Sequence, residues 1–403
     1  MSVPHTKKPE NAAVLLDSLI GGILLNVNIN DRSQGSTIGY LIASNAEAGT
    51  LESLPVTADL EIINSDDLRS TNLRFSAQDK VCIASEAALE LVVSRIDDPA
   101  RKNAIEVLKN KYTFRKLLTT IYPNYQYQFI KLQDLGDLKV TQKSVIKPVK
   151  GVFGTAVRTI DRDTDLTTLA VELQAELSKN VDLFSESVLS TSDFIVEQYL
   201  EGEEYAVDMF YNNVGVPCIV NICHHPIPRN RAYLHMIYYS SQAVFDDIYV
   251  GAKHFFTELN RVLGVMNIPM HGEFKFDGDR LIPIEINPLR FGGMGLGNLV
   301  FHALGINPYA HFLNNAEPDW QTIWQARSVD IFTFFIAYNG INSDLDNTQP
   351  NRKQLKQRFT EILLERTFDY QNQLVFGIYY LKETRQNISN LLEIEFDDFF
   401  ELI

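Results

Sequence analysis

Hydrophobic and polar positions along the chain change period several times, and the changes divide it into short elements. Residues 274–276 and 281–286 are two apolar runs of strand length, and Asp277-Gly278-Asp279 between them predicts a hairpin. Residues 145–150 read as a strand carrying Lys147, followed by a turn with Gly151 and Gly154 and a second strand near 155–157. Residues 194–200 form another apolar run that enters an acidic turn and continues into a strand through Asp208. Helical spacing appears over 85–96, 99–122, 164–179 and 352–365 and again near the C-terminus, while 331–338 and 374–381 have strand character. Short apolar runs at 13–25, 39–43 and 80–84, separated by polar loops, predict a small layered N-terminal domain.

The resulting expectation is a chain of the α/β (α+β) class in five parts. These are an N-terminal α/β domain over 1–98, a helical connector over 99–125, a mobile lid over 126–211, a catalytic subdomain over 212–318 and an α/β extension over 319–403. A length of 403 residues with 45% hydrophobic content is enough to bury a large core in two or three domains.

The hairpin also carries candidate chemistry. Strand side chains alternate, so Glu285 and Asn287 share a face, and hairpin pairing brings Glu273 beside Glu285. Magnesium takes hard oxygen ligands and shares its shell with phosphate oxygens, so two carboxylates and an amide oxygen are a sufficient protein contribution. Arg290 follows Pro288, which ends the strand, and can turn back over this group. Taken alone, acidic residues flanking a hairpin are equally the pattern of a solvated surface.

Lys147 beside glycines that let backbone amides approach suits phosphate, although Gly-x-x-Gly is also an ordinary turn. There is no Gly-Lys-Ser/Thr and no helix pattern directly after the turn, so a loop closing over phosphates fits better than a P-loop. Residues 196–200 offer an apolar slot with backbone hydrogen bonds for a purine, and Glu204 a carboxylate for a ribose; a plain hairpin with a charged tip has the same pattern.

In order, a lysine with a glycine turn, then Glu-x-x-Leu-x-Gly-x-Glu, then Glu273, Glu-x-Asn-Pro and Arg290, resembles the ATP-grasp superfamily of carboxylate-amine and carboxylate-thiol ligases. The resemblance runs from about residue 85 to 307 and includes Asn110-Lys111, which looks like the family's Asp-Lys helix start. It implies phosphate contacts from Lys111 and Lys147 and a flexible lid over 150–155 with Gly151 and Gly154. It further implies adenine at Glu197, Gln198, Tyr199 and Leu200, ribose at Glu204, and magnesium (two ions, with manganese as a substitute) at Glu273, Glu285 and Asn287. Arg290 and Lys147 would be catalytic, and ATP the nucleotide. The chain departs from the pattern in the bulky Phe153 within the lid, in Asn110 where the family has aspartate, and in Leu289 inserted before Arg290.

The resemblance implies an ATP-dependent ligase that makes a peptide-like carbon-nitrogen bond through an acylphosphate, releasing ADP and phosphate. The alternatives are activation of a carboxylate for a thiol, bicarbonate chemistry, or a nucleotide-binding scaffold without turnover. Its partners would be small carboxylates and amines such as amino acids or a peptide. For substrate recognition, Arg229 and Arg231 form an arginine fork in a proline-rich loop that also contains His224 and His225, and His271 lies beside Glu273. Tyr238, Tyr239, Phe291, Met294 and the glycines at 292, 293, 295 and 297 could shape an acceptor pocket with amides facing an oxyanion.

A net charge of -15 argues against nucleic acid or an anionic membrane as partner. Three cysteines, Cys82, Cys218 and Cys223, make neither a disulfide framework nor a zinc site. With no apolar run of membrane-spanning length and a polar N-terminus, the expected location is cytoplasmic, and a homodimer is the default assembly.

Overall fold

The computed structural model describes residues 39–43, 59–84, 86–151, 154–178 and 189–403. The apolar run at 13–25 and Phe153 lie outside the described residues. Strands β1 (Gly39–Ala43), β2 (Leu60–Asn64) and β3 (Lys80–Ile83) form a parallel sheet of order β2-β1-β3, with β1 and β3 buried along their length. Parallel strands covered on both faces read as continuous apolar runs, which is why 39–43 and 80–84 stand out in the sequence.

The connector is two helices. Asn110 is in extended backbone (φ -103°, ψ 110°) and ends Pro99–Lys109, and its side chain accepts from the N–H groups of Tyr112 and Thr113 to start Lys111–Leu118. Asparagine therefore does the capping work that aspartate would do at this position. The Lys111 amide donates to the Val149 carbonyl, tying this helix start to the end of the lysine-bearing strand.

Four antiparallel strands follow: β4 (Tyr127–Lys131), β5 (Ser144–Pro148), β6 (Arg158–Ile160) and β7 (Asp193–Gln198), in spatial order β4-β7-β5-β6. The helix Leu166–Ser178 puts Leu169, Leu173 and Leu177, spaced by four, into a core with Ile146, Phe194 and Val196.

The largest unit is an eight-stranded antiparallel sheet. It contains β8 (Glu203–Tyr211), β9 (Pro217–His225), β10 (Ile237–Ser241), β11 (Ile268–Phe276), β12 (Leu281–Pro288) and β13 (Ile331–Tyr338). After the short β14 (Thr348–Pro350) come β15 (Glu361–Thr367) and β16 (Val375–Glu383), and β17 (Phe400–Leu402) pairs with β14. The order in the large sheet is β12-β11-β8-β9-β10-β13-β16-β15. The 22-residue helix Gln242–Leu263, capped by the Ser241 hydroxyl and by Gly264 in the left-handed region (φ 64°), packs Phe255 and Phe256 against Phe274.

Three expectations change here. β8 pairs along its length with β11 and β9, so the small sheet ends near Leu200 and the lid cannot run to 211. β13 and β16 continue the same large sheet through β10, so 319–403 is not a separate appendage. Helix spacing over 352–365 fails after Lys356: Glu361–Thr367 is an edge strand on β16, and Glu383 holds the Thr360 amide and hydroxyl at the turn into it. No helix among the described residues is long and apolar enough to cross a membrane.

Candidate active site

The β11–β12 register places Glu273 opposite Glu285 and His271 opposite Asn287, with a bulge after Glu273 that leaves Ile284 as the extra residue. Glu285 and Asn287 share a face, and the Asn287 amide donates to Glu285 Oε1 at 2.9 Å. The remaining Glu285 oxygen pairs with Lys111 Nζ at 2.9 Å, and Asn287 Oδ1 accepts from Lys109 Nζ at 3.0 Å. Burial pushes the Glu285 carboxyl up, but Lys111 and Lys109 more than offset it and hold it well below the usual range.

Leu289 solves the problem that its insertion poses. It adopts φ +67°, buries its side chain completely, donates its amide to Pro269 O and accepts from the Ile83 amide. A left-handed leucine costs about 1–2 kcal/mol, and here burial and two backbone bonds fix it. The turn aims Arg290 at Glu86, with Nε to Oε1 at 2.9 Å, while Lys109 takes the other Glu86 oxygen at 2.8 Å. Burial pushes the Glu86 carboxyl up, and these two cations outweigh it, leaving its pKa lowered.

Lys147 comes from β5 and pairs with Glu197 of β7, whose other oxygen accepts from Arg115 Nε at 2.6 Å. Glu197 is 4% exposed; burial alone would raise its pKa, yet the two cations bring it to about 2. Its carboxylate therefore anchors the lysine strand to the connector helix and is not available to a purine. Burial lowers the Lys147 pKa, with Arg115 and Lys111 adding to the effect.

Glu204 Oε1 meets His225 Nδ1 at 2.8 Å and Oε2 meets Lys275 at 3.4 Å. His271 is buried and bonded to Asp208 at 2.7 Å; burial disfavours its charge, but Asp208 raises its pKa to about 9, so it is an imidazolium at neutral pH.

Lys111, Lys147, Gly151, Gly154, Glu197 through Leu200, Glu204, His271, Glu273, Glu285, Asn287 and Arg290 all line one cavity of about 410 Å³. The model of the ATP-grasp domain family matches residues 140–298, which spans the lysine strand through the Glu285 hairpin. Residues 140–298 form an ATP-grasp domain.

Solved structures extend the likeness of fold over nearly the whole chain. An L-amino acid ligase from Bacillus licheniformis superposes with a TM-score of 0.61 at 18% identity, covering 92% of this chain and 99% of that one. N5-carboxyaminoimidazole synthetase from Staphylococcus aureus, complexed with ADP, gives 0.57 at 11% identity over 91% of this chain and 100% of that one. A biotin carboxylase from Campylobacter jejuni in a nucleotide complex gives 0.56 at 12% identity over 87% and 83%. No curated protein matches the sequence.

The donor set in this cavity is of the kind that could share a magnesium ion with phosphate oxygens. Glu273, Glu285 and Asn287 present hard oxygens side by side, and among the described residues no group of three His, Cys, Asp or Glu side chains could hold a metal alone. A magnesium ion there would complete its shell with phosphate and water.

Other expected residues fall elsewhere. Arg229 pairs with Glu393 at the surface and Arg231 is exposed, neither lining the cavity, because the proline-rich loop turns toward the C-terminal helix. His224 and His225 end β9 instead of lying in that loop. Phe291 packs against Tyr309 in a core, Tyr239 bonds His224, and the Gly292 amide donates to Asp208, so it does not face an oxyanion. Met294 and Gly293 do line the cavity.

Beyond Glu285 the cavity continues along β10 and β13. Tyr238 is in register with Phe334, and Ile336 and Tyr338 follow on the same face. Glu86, Lys109 and His235 carry no local motif; only Tyr238 is marked by its neighbourhood in the sequence.

Proposed function

We infer that the chain is an ATP-dependent ligase joining a carboxylate to an amine through an acylphosphate, with release of ADP and phosphate. The observation that carries this reading is the convergence of Lys111, Lys147 and Arg290 with Glu273, Glu285 and Asn287 in one cavity of the ATP-grasp domain. The purine would lie along Gln198, Tyr199 and Leu200, where Val145, Pro148 and Ile284 also line the wall, and the ribose near Glu204. Such an arrangement works by position and charge: a carboxylate is already a nucleophile once oriented and desolvated.

Lys111 and Lys147 would neutralise charge on the nucleotide phosphates, and each is kept in place by a carboxylate, Glu285 and Glu197. When bound, magnesium supplies charge neutralisation between the phosphoryl groups. Arg290, braced by Glu86, stands at the same end of the cavity to stabilise charge on the acyl phosphate and on the tetrahedral species that follows. Lys111 and Lys109, which hold Glu285 and Asn287, would have to release these oxygens for them to serve as metal ligands. The enzyme would work in the cytoplasm on small carboxylates and amines.

The test mixes the full chain with ATP, magnesium and pools of amino acids and follows ADP and phosphate, with bicarbonate and thiols in parallel. Turnover only with amino-acid pools supports the reading. ATP binding without ADP release in any pool would overturn it.

A further inference from the structure

An amine substrate arrives as an ammonium ion, and it must lose a proton before it can attack an acyl carbon. The groups around the phosphate site have other work: Lys111, Lys147 and Arg290 are cations, Glu86, Glu197 and Glu285 are held by lysine and arginine, and Glu273 is a proposed magnesium ligand beside His271. His235 lines the same cavity together with Tyr238, Phe334, Ile336 and Tyr338, within electrostatic reach of Glu273 and Glu285.

The ring of His235 is fixed at one edge and on one face. Its Nδ1 is 2.9 Å from the Tyr238 hydroxyl, and His225 stacks on both rings, with centroids 5.3 Å from His235 and 4.1 Å from Tyr238 at interplanar angles of 13° and 9°. His225 is in turn tied to Glu204 and to the Leu234 carbonyl through its two nitrogens. No hydrogen bond to His235 Nε2 occurs among the described residues.

We propose that His235 is the general base that takes the ammonium proton of the amine substrate, with Tyr238 as the residue that positions its ring. This rests on the ligase reading above. In the base form Nδ1–H donates to the Tyr238 oxygen and Nε2 accepts the proton. The free amine then attacks the acyl carbon, the C–N bond forms, the bond from acyl carbon to phosphate oxygen breaks, and the second nitrogen proton leaves with phosphate. Burial and the neighbouring His225 lower the His235 pKa, so the ring is ready to accept at neutral pH. The charged or titratable groups acting on it are His225, Glu204, Glu273, Glu285 and Tyr238.

Hydroxylamine separates this role from a structural one, because it is uncharged at neutral pH and attacks acyl phosphates without a base. The full chain, ATP, magnesium and a mixed pool of amino acids are used with and without hydroxylamine, reading amide and hydroxamate. For His235→Asn the expected result is a fall of about 10²-fold in amide formation, with hydroxamate formation unchanged and the amide deficit shrinking as pH rises and free amine accumulates. Tyr238→Phe, which keeps the stack, is expected to show the same selectivity with a smaller loss. Equal loss of both products in both variants, or no loss of amide, overturns the assignment while leaving the ligase reading intact. A wild-type chain that binds ATP but forms neither product overturns both.

Discussion

Two sets of residues that line the cavity are held by different forces. At the phosphate end every buried charge has a named opposite: Glu86 with Arg290 and Lys109, Glu285 with Lys111, Glu197 with Lys147 and Arg115. On the β10–β13 wall, Tyr238, Phe334, Ile336 and Tyr338 line the cavity with His235, and His225 stacks on both His235 and Tyr238. Charges out of water survive only in pairs, so the first end is a lattice in which removing one member strands another. The aromatic wall is held by packing instead: Phe334 and Ile336 are buried in the main core, and Tyr238 stacks on His225. Chemistry that handles phosphate and chemistry that chooses a substrate are thus held by different kinds of force.

The largest effect that would test this division is on turnover. Glu285→Gln is expected to lower ADP release by about 10³-fold while nucleotide binding, followed by fluorescence or calorimetry, persists; retained turnover would remove Glu285 from the proposed centre. Next is stability: Glu197→Gln leaves Lys147 and Arg115 buried with half a partner and should cost about 3–5 kcal/mol in urea unfolding. A cost near zero would show that the lattice is not held as the geometry indicates.

The same carboxylate sets an acid limit. Its folded pKa of about 2 lies below the ordinary glutamate value of 4.5, so its stabilisation is complete above about pH 4.5 and is lost as pH falls toward 2. The loss is of order 3 kcal/mol for a shift of this size, and unfolding midpoints measured against pH in wild type and Glu197→Gln should converge over that window. On the aromatic wall, Tyr338→Ala removes a ring packed on Tyr233 and Phe396 and should cost about 2–3 kcal/mol in unfolding, while altering KM for the organic substrate more than for ATP. The smallest effect belongs to Arg229→Ala: its pair with Glu393 is exposed on both sides, so stability should move by less than about 0.5 kcal/mol and ADP release not at all.

How much can be read from the chain depends on distance along it. The β11–β12 hairpin is readable because a four-residue turn and period-two alternation set the register that puts Glu273 beside Glu285. Asn110 as a helix start is equally local. The edge strand Glu361–Thr367 reads as helix because the sequence there has no strict alternation, and its pairing with β16 overrides weak local preference. The arginine fork at 229 and 231 looks chemical because it is basic and proline-bounded, yet a loop's direction depends on what it packs against.

Motif order along the chain carries the resemblance that anticipates the ATP-grasp fold, and short-range turn and strand rules put Lys147, Glu204 and Glu285 on strands, as the structure has them. Folding alone brings Glu86 to Arg290 across 204 positions, Arg115 to Glu197 across 82, and His235 into the wall of the same cavity. No local pattern encodes such meetings; they follow from which sheets and helices bury one another, and the need of each buried charge for a partner then selects them.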